Sequence, residues 1–272
     1  MSLSAEHWDR ILMLLVANYG GIIDPKGGFF VQIFGKTDVG LVRETNQDTF
    51  MSGDLTPSVG FALVCDGMGG ENGGNVASQL ARDIISTQVM QNLREYMDPR
   101  SVYHLILAAL NAANSVVYEK AQQQPALAGM GTTAVLAVVM NDILYIGHVG
   151  DSRAYLLRKG KLTQLTKDHS FIQYLLEHGQ ITEEQAKSHP QKNQITRAIG
   201  VEATVEIDYN EFPCKYGDKI LLCTDGLTNC CSEAEILLIL EQNNARQSVK
   251  RLLQAAKKHG GHDNITAVVL EC

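Results

Sequence analysis

The sequence predicts an α+β protein in which helices cover the outer faces of antiparallel sheets. Three observations carry that expectation. Short apolar runs ended by Gly or Asp recur from Phe29 onward, two pairs of runs are joined by hairpin-sized connections, and helical patterns cluster instead of alternating with single strands. Consecutive hairpins require antiparallel pairing, since parallel strands need long crossovers.

Residues 5–18 place Trp8, Ile11, Leu12 and Leu15 at i, i+3, i+4, i+7, which predicts a helix. Asp24-Pro25-Lys26-Gly27-Gly28 then breaks the chain, so 1–28 is expected to be a helical extension and linker, and 29–272 the main domain. Strands are expected at 29–34, 59–65, 132–140, 143–149, 154–157, 204–209, 219–223 and 265–270. Met140-Asn141-Asp142-Ile143 and Arg158-Lys159-Gly160-Lys161 are the hairpin connections. Helices are expected at 74–95, 101–122, 169–178, 182–188, 232–243 and 246–258, with Ser232-Glu233-Ala234-Glu235 as a capping box. Residues 168–197 are polar, rich in His and Gln, and fall between strands. They read as an inserted helical flap.

Composition narrows the function. Of 272 residues, 45% are hydrophobic and 19% charged, which excludes wholesale disorder. Lys+Arg number 23 against 30 Asp+Glu, and the net charge of −7 without a basic cluster argues against nucleic acid or an anionic membrane as partner. The apolar stretch from Ile11 to Ala17 is far shorter than the ~20 residues of a membrane span, and its flanks are not those of a signal peptide. Six cysteines lie in no CxxC spacing, a pattern that suits a reducing cytoplasm.

The chemistry is carried by aspartates at strand ends. Asp66 closes 61–65 and precedes Gly67, and Asp225 closes 220–224 and precedes Gly226. Asp151 follows Val149-Gly150, Asp263 stands just before the strand at Ile265, and Asp48 leads into Thr49-Phe50-Met51. One Asp-Gly alone is an ordinary turn. Five carboxylates at neighbouring strand ends would repel by ~1–4 kcal/mol per close pair unless cations join them. All-oxygen ligation selects magnesium or manganese over zinc. Arg43, in Arg43-Glu44-Thr45-Asn46-Gln47-Asp48, is suited to bidentate capture of phosphate oxygens, the alternative being a surface salt bridge. The glycines of Gly69-Gly70-Glu71-Asn72-Gly73-Gly74 lack Walker spacing and are expected only to permit the turn into the next helix. His148, within a strand, is expected to be a satisfied polar residue, and His259 with His262 a polar loop.

Together these segments resemble the metal-dependent protein phosphatases, the type 2C serine/threonine family, and its bacterial branch in particular. The matching stretches are Asp38-Val39-Gly40 with Arg43 to Asp48, Val64 to Gly70, Gly129 to Thr133, Val149 to Tyr155, Leu165 to Ser170, His189-Pro190 through Ala198, Cys223 to Thr228, and Gly261 to Thr266. The resemblance implies a sandwich of two antiparallel sheets flanked by helices, with two or three Mg2+ or Mn2+ ions in a cleft at one end. By that resemblance Asp66, Asp225 and Asp263 hold the first metal, and Asp66 with the Gly67 carbonyl holds the second. Asp151 and Asp225 take a third, Asp48 acts through water, and Arg43 binds substrate phosphate. Asp168, His169 and Ser170 open a mobile flap. The implied reaction is hydrolysis of phosphoserine and phosphothreonine in proteins by a water or hydroxide bridging two metals, with no covalent intermediate. Implied substrates include a serine/threonine kinase. Gln47, Met68 and Asn229 stand where animal-type members have Glu, His and Asp, and Met68 removes the candidate general acid. The rival readings are a silent phosphoprotein-binding module, disfavoured by the retained aspartates, and a hydrolase of small phosphomonoesters.

Overall fold

A computed structural model describes residues 31–272. The expected N-terminal helix, the linker and the start of the first expected strand lie outside the described residues. Two antiparallel sheets stack face to face. The first has the order β1 (Gln32–Asp38), β11 (Ile265–Glu271), β10 (Lys219–Cys223), β7 (Arg153–Arg158), β8 (Lys161–Gln164). The second runs β2 (Asp48–Thr56), β3 (Val59–Met68), β5 (Ala134–Met140), β6 (Ile143–Val149), β9 (Asp208–Pro213), with the short β4 (Gly131–Thr132) paired to the end of β3.

Strand alternation builds the layers. In β3, Ala62 and Val64 face the other sheet, where they meet Ile220, Leu222, Val268 and Leu270. Phe61, Leu63 and Cys65 face the opposite way, onto α1 (Gly70–Asn92) and α2 (Pro99–Gln123). In β10 the same alternation sends Leu221 and Cys223 under α6 (Glu233–Gln242) and α7 (Ala245–Lys258). Sheets buried on both faces explain why these strands read as continuous apolar runs. No described helix is long and apolar enough to cross a membrane.

Both expected hairpins form. Met140 pairs with Ile143 across Asn141 (φ 52°) and Asp142 (φ 58°), and Arg158 pairs with Lys161 across Lys159 (φ 49°) and Gly160 (φ 71°). Two successive left-handed residues are the turn whose twist matches the flanking strands. Between β8 and β9 the flap contributes α3 (Phe171–Glu177) and α4 (Glu183–Lys187), each a little shorter than expected.

Several expectations need correction. The strand expected at 204–209 lies at Asp208–Pro213, and the one expected at 29–34 is described as Gln32–Asp38. The first long helix begins at Gly70, not at 74, so Gly70, Gly73 and Gly74 lie in its first turns. Gly69 (φ 121°) and Gly70 (φ 75°) make the turn into the helix as expected, whereas a side chain on Gly74 would strike Gly67. Ser232 caps the Glu235 amide at 3.3 Å as expected, whereas the Glu235 carboxylate turns to His259 at 3.1 Å.

Candidate active site

Because neighbouring strands run in opposite directions, one rim of the sandwich collects the start of β2, the end of β3, the β6–β7 turn, the end of β10 and the approach to β11. Asp48 and Asp66 sit opposite each other in the β2–β3 register. Asp225 opens the short helix α5 (Asp225–Thr228), while Asp151 lies in the turn after β6 and Asp263 in the loop before β11.

Threonine and serine hydroxyls hold this rim together. The Asp66 amide donates to Thr133 Oγ1 at 2.9 Å, and Thr132 Oγ1 donates to the Asp66 carbonyl at 2.8 Å. Thr133 Oγ1 lies 2.7 Å from Ser152 Oγ, which ties the end of β3 to the turn bearing Asp151. Thr224 and Thr266 hydroxyls each lie 2.8 Å from Asp48 Oδ2. Sequence reasoning did not single out these hydroxyls, although each stands within three residues of a motif aspartate or beside a motif threonine. Two glycines allow the approach: a side chain on Gly67 would strike the Gly74 carbonyl, and one on Gly226 the Asn264 carbonyl.

The electrostatics follow from burial. Asp48 is buried, and its carboxyl is pushed up to about 7 by burial, against the pull of the two threonine hydroxyls. Burial, then Asp48 and Asp225, holds Asp66 well above the usual carboxylate range. Asp151 rises to about 8 through burial and the charge of Asp225. Asp225 is raised by burial and by Asp263, while a bond from Asn229 at 3.0 Å opposes the rise. Among the described residues no Lys or Arg forms an ion pair with Asp48, Asp66, Asp151 or Asp225. Asp48 Oδ1 is buried without a hydrogen-bond partner. An all-oxygen cluster with one bare, buried oxygen fits a hard divalent cation.

Arg43 lies on the loop between β1 and β2, with its side chain 57% exposed, and donates to Asp263 Oδ2 at 2.8 Å. That bond raises its pKa further. Of the two sequence alternatives the structure contains the salt bridge, and it lies at the rim of the carboxylate cluster. Met68 ends β3, and a side chain on Gly131 would lie 3.0 Å from its methyl carbon.

The flap residues have anchoring partners. Asp168 receives a bidentate bond from Arg153 at 2.6–3.0 Å. Ser170 caps α3 by accepting from the Gln173 amide at 3.1 Å. His169 Nδ1 accepts from the Gly150 amide at 3.0 Å, and its Nε2 lies 3.2 Å from Asp208 Oδ2. The His148 ring lies tilted by 31° against His169, centroids 4.6 Å apart. His148 is not the satisfied polar residue expected: both of its nitrogens are buried without a hydrogen-bond partner. Burial, reinforced by His169, lowers its pKa to about 3 and keeps it neutral. His148, His169 and Asp208 bring ligand atoms within 4.8 Å of one another. A metal-ligating imidazole donates its second N–H, however, whereas His169 Nδ1 accepts one. Arg197, 3.0 Å from Asp208 Oδ1, already supplies the local cation.

Comparisons with known proteins agree with this architecture. The family model described as protein phosphatase 2C matches residues 42–269. The serine/threonine phosphatase stp of Listeria innocua is 37% identical over 240 residues, covering 87% of this chain and 94% of that protein. The crystal structure of Mycobacterium tuberculosis PstP/Ppp superposes with a TM-score of 0.81 at 37% identity, over 89% of this chain and 98% of that one. A structure of the PstP catalytic domain in complex with two manganese ions has a TM-score of 0.78 at 34% identity, over 89% and 98% of the two chains. On these matches and this rim of aspartates, the chain belongs to the protein phosphatase 2C family and is a serine/threonine protein phosphatase of the bacterial type.

Proposed function

We propose that the rim hydrolyses phosphoserine and phosphothreonine monoesters on proteins by direct attack of water, without a covalent intermediate. Phosphorylated proteins, a serine/threonine kinase among them, are the proposed substrates, and the six free cysteines support a cytoplasmic setting. The observation that carries the reading is the carboxylate set of buried Asp48 and half-buried Asp66, Asp151 and Asp225, raised in pKa and without an ion-pair partner among the described residues, beside an exposed arginine.

Asp66, Asp225 and Asp263 would hold one magnesium or manganese ion, Asp66 and the Gly67 carbonyl a second, and Asp151 with Asp225 a third. Such ions supply an activated water and charge neutralisation at phosphorus. The remaining work falls to the chain. Arg43 has five N–H donors and spends few of them on Asp263, so it can turn the others toward phosphate oxygens and orient the ester for in-line attack. Asp48, whose Oδ2 is anchored by Thr224 and Thr266, would act on the ions through water with its unpartnered Oδ1.

Arg43→Ala is the test of this division of labour. It should lower kcat/KM for a phosphothreonine peptide by on the order of a hundredfold, mostly through KM, without unfolding the protein. Unchanged kinetics would overturn Arg43 as the phosphate holder. Equal kcat/KM for phosphopeptides and sugar phosphates would overturn the protein-substrate reading.

A further inference from the structure

The loop carrying Arg43 is exposed from Leu41 to Thr45, yet it must present a guanidinium accurately. One buried side chain holds both of its ends. Asn264, 5% exposed, donates from Nδ2 to the Val39 carbonyl and to the Thr45 carbonyl, each at 3.0 Å. Its Oδ1 accepts from the Gln47 amide at 2.8 Å. The carboxamide thus uses two donors and an acceptor on the loop that brackets Arg43. No carboxylate or aliphatic side chain of that size can do this, because the site asks for donation and acceptance at once.

The same residue reaches the carboxylates. The Asn264 amide donates to Asp263 Oδ1 at 2.9 Å, which leaves Oδ2 for Arg43. Its carbonyl abuts Gly226, next to Asp225. The loop packs tightly on this segment elsewhere too: the Leu41 amide donates to the Gly261 carbonyl at 2.8 Å, and Gly40 (φ 83°) leaves no room for a side chain beside Asp263.

We infer that Asn264 is a positioning residue for substrate phosphate: it fixes the span between Val39 and Gln47, and through it the place of the Arg43 guanidinium relative to the metal-binding carboxylates. This inference rests on the proposed role of Arg43. Misplacement by about an ångström at a site of this kind costs on the order of a hundredfold in rate.

The test is a double-mutant cycle on full-length, manganese-loaded enzyme with a phosphothreonine peptide. Asn264→Ala should raise KM on the order of tenfold or more, with a smaller change in kcat. The manganese dissociation constant, read by titration without substrate, should stay close to the wild-type value, because the contact with Asp263 is made by the Asn264 main-chain amide, which the substitution keeps. The losses in Asn264→Ala and Arg43→Ala should not multiply, because the first acts through the second. Asn264→Asp is the second variant, in case alanine prevents folding. It keeps the size and the Gln47 contact but faces two carbonyls without donors, so it should show the same KM effect. Multiplying losses, an effect confined to kcat, or loss of manganese affinity in a folded variant would overturn the inference. An Arg43→Ala enzyme with normal KM would overturn the phosphate reading beneath it, whatever Asn264 does.

Discussion

Asp48 shows how single residues here trade stability for charge. Its folded carboxyl titrates at about 7 and that of Asp151 at about 8, against an ordinary 3.8. A raised folded pKa means that the native state binds more protons than the unfolded chain above pH 4, so stability falls as pH rises toward 8. Protein stripped of metal by chelator should therefore lose stability between pH 6.5 and 8, although the two buried histidines, neutral in the fold and protonated more readily in the unfolded chain, offset part of that fall near pH 6.5. Asp48→Asn should flatten that slope, and saturating manganese should remove most of it. Urea denaturation at the two pH values checks this. Equal slopes in wild type and Asp48→Asn would contradict it. Met68 makes a second prediction at this scale. A thioether cannot donate a proton to the leaving alkoxide, and a positioned general acid contributes about 10²–10⁴-fold. Rates over a series of aryl phosphates should depend steeply on leaving-group pKa in wild type and less steeply in Met68→His.

At the scale of elements, the site depends on how closely a helix and two strand ends approach. Gly226 is in α5, against the Asn264 carbonyl. Gly226→Ala should cost about 1–3 kcal/mol, seen as a lower Tm, and should weaken manganese binding because Asp225 and Asp263 are forced apart. An unchanged Tm and metal affinity would show that the loop yields freely. The same elements explain what was legible in the sequence. Strands with two buried faces, such as β3, β5 and β10, declared themselves as apolar runs, and the Asn141-Asp142 and Lys159-Gly160 hairpins declared their turns. Edge strands did not. β9 carries Asp208, Asn210 and Glu211 and pairs only with β6, so its backbone pairing, not its hydrophobicity, makes it a strand. β2 begins at buried Asp48 and ends half exposed, and the sequence shows it only as the residues following that aspartate. The start of α1 was misplaced because Gly73 and Gly74 answer to close contact with Met130 and Gly67, a tertiary constraint that no local pattern reveals.

For the whole molecule, the α/β/β/α layering places polar chemistry at one end of an apolar stack. The core layers fix the strand ends, the threonine hydroxyls lock those ends to one another, and the aspartates are held close at a cost that divalent cations would offset. The aspartates were visible in the sequence because five of them fall at the ends of strand-like runs, two followed by glycine. The hydroxyls and Asn264 were not, since Thr and Asn in loops usually answer to local turns. The most direct test is release of phosphate from a phosphothreonine peptide by metal-stripped protein, with and without added manganese, in wild type and Asp225→Asn. Manganese-dependent release in wild type, reduced more than about a hundredfold in the variant, is the predicted result. Equal release in chelator, or near-normal turnover by Asp225→Asn, would contradict the account.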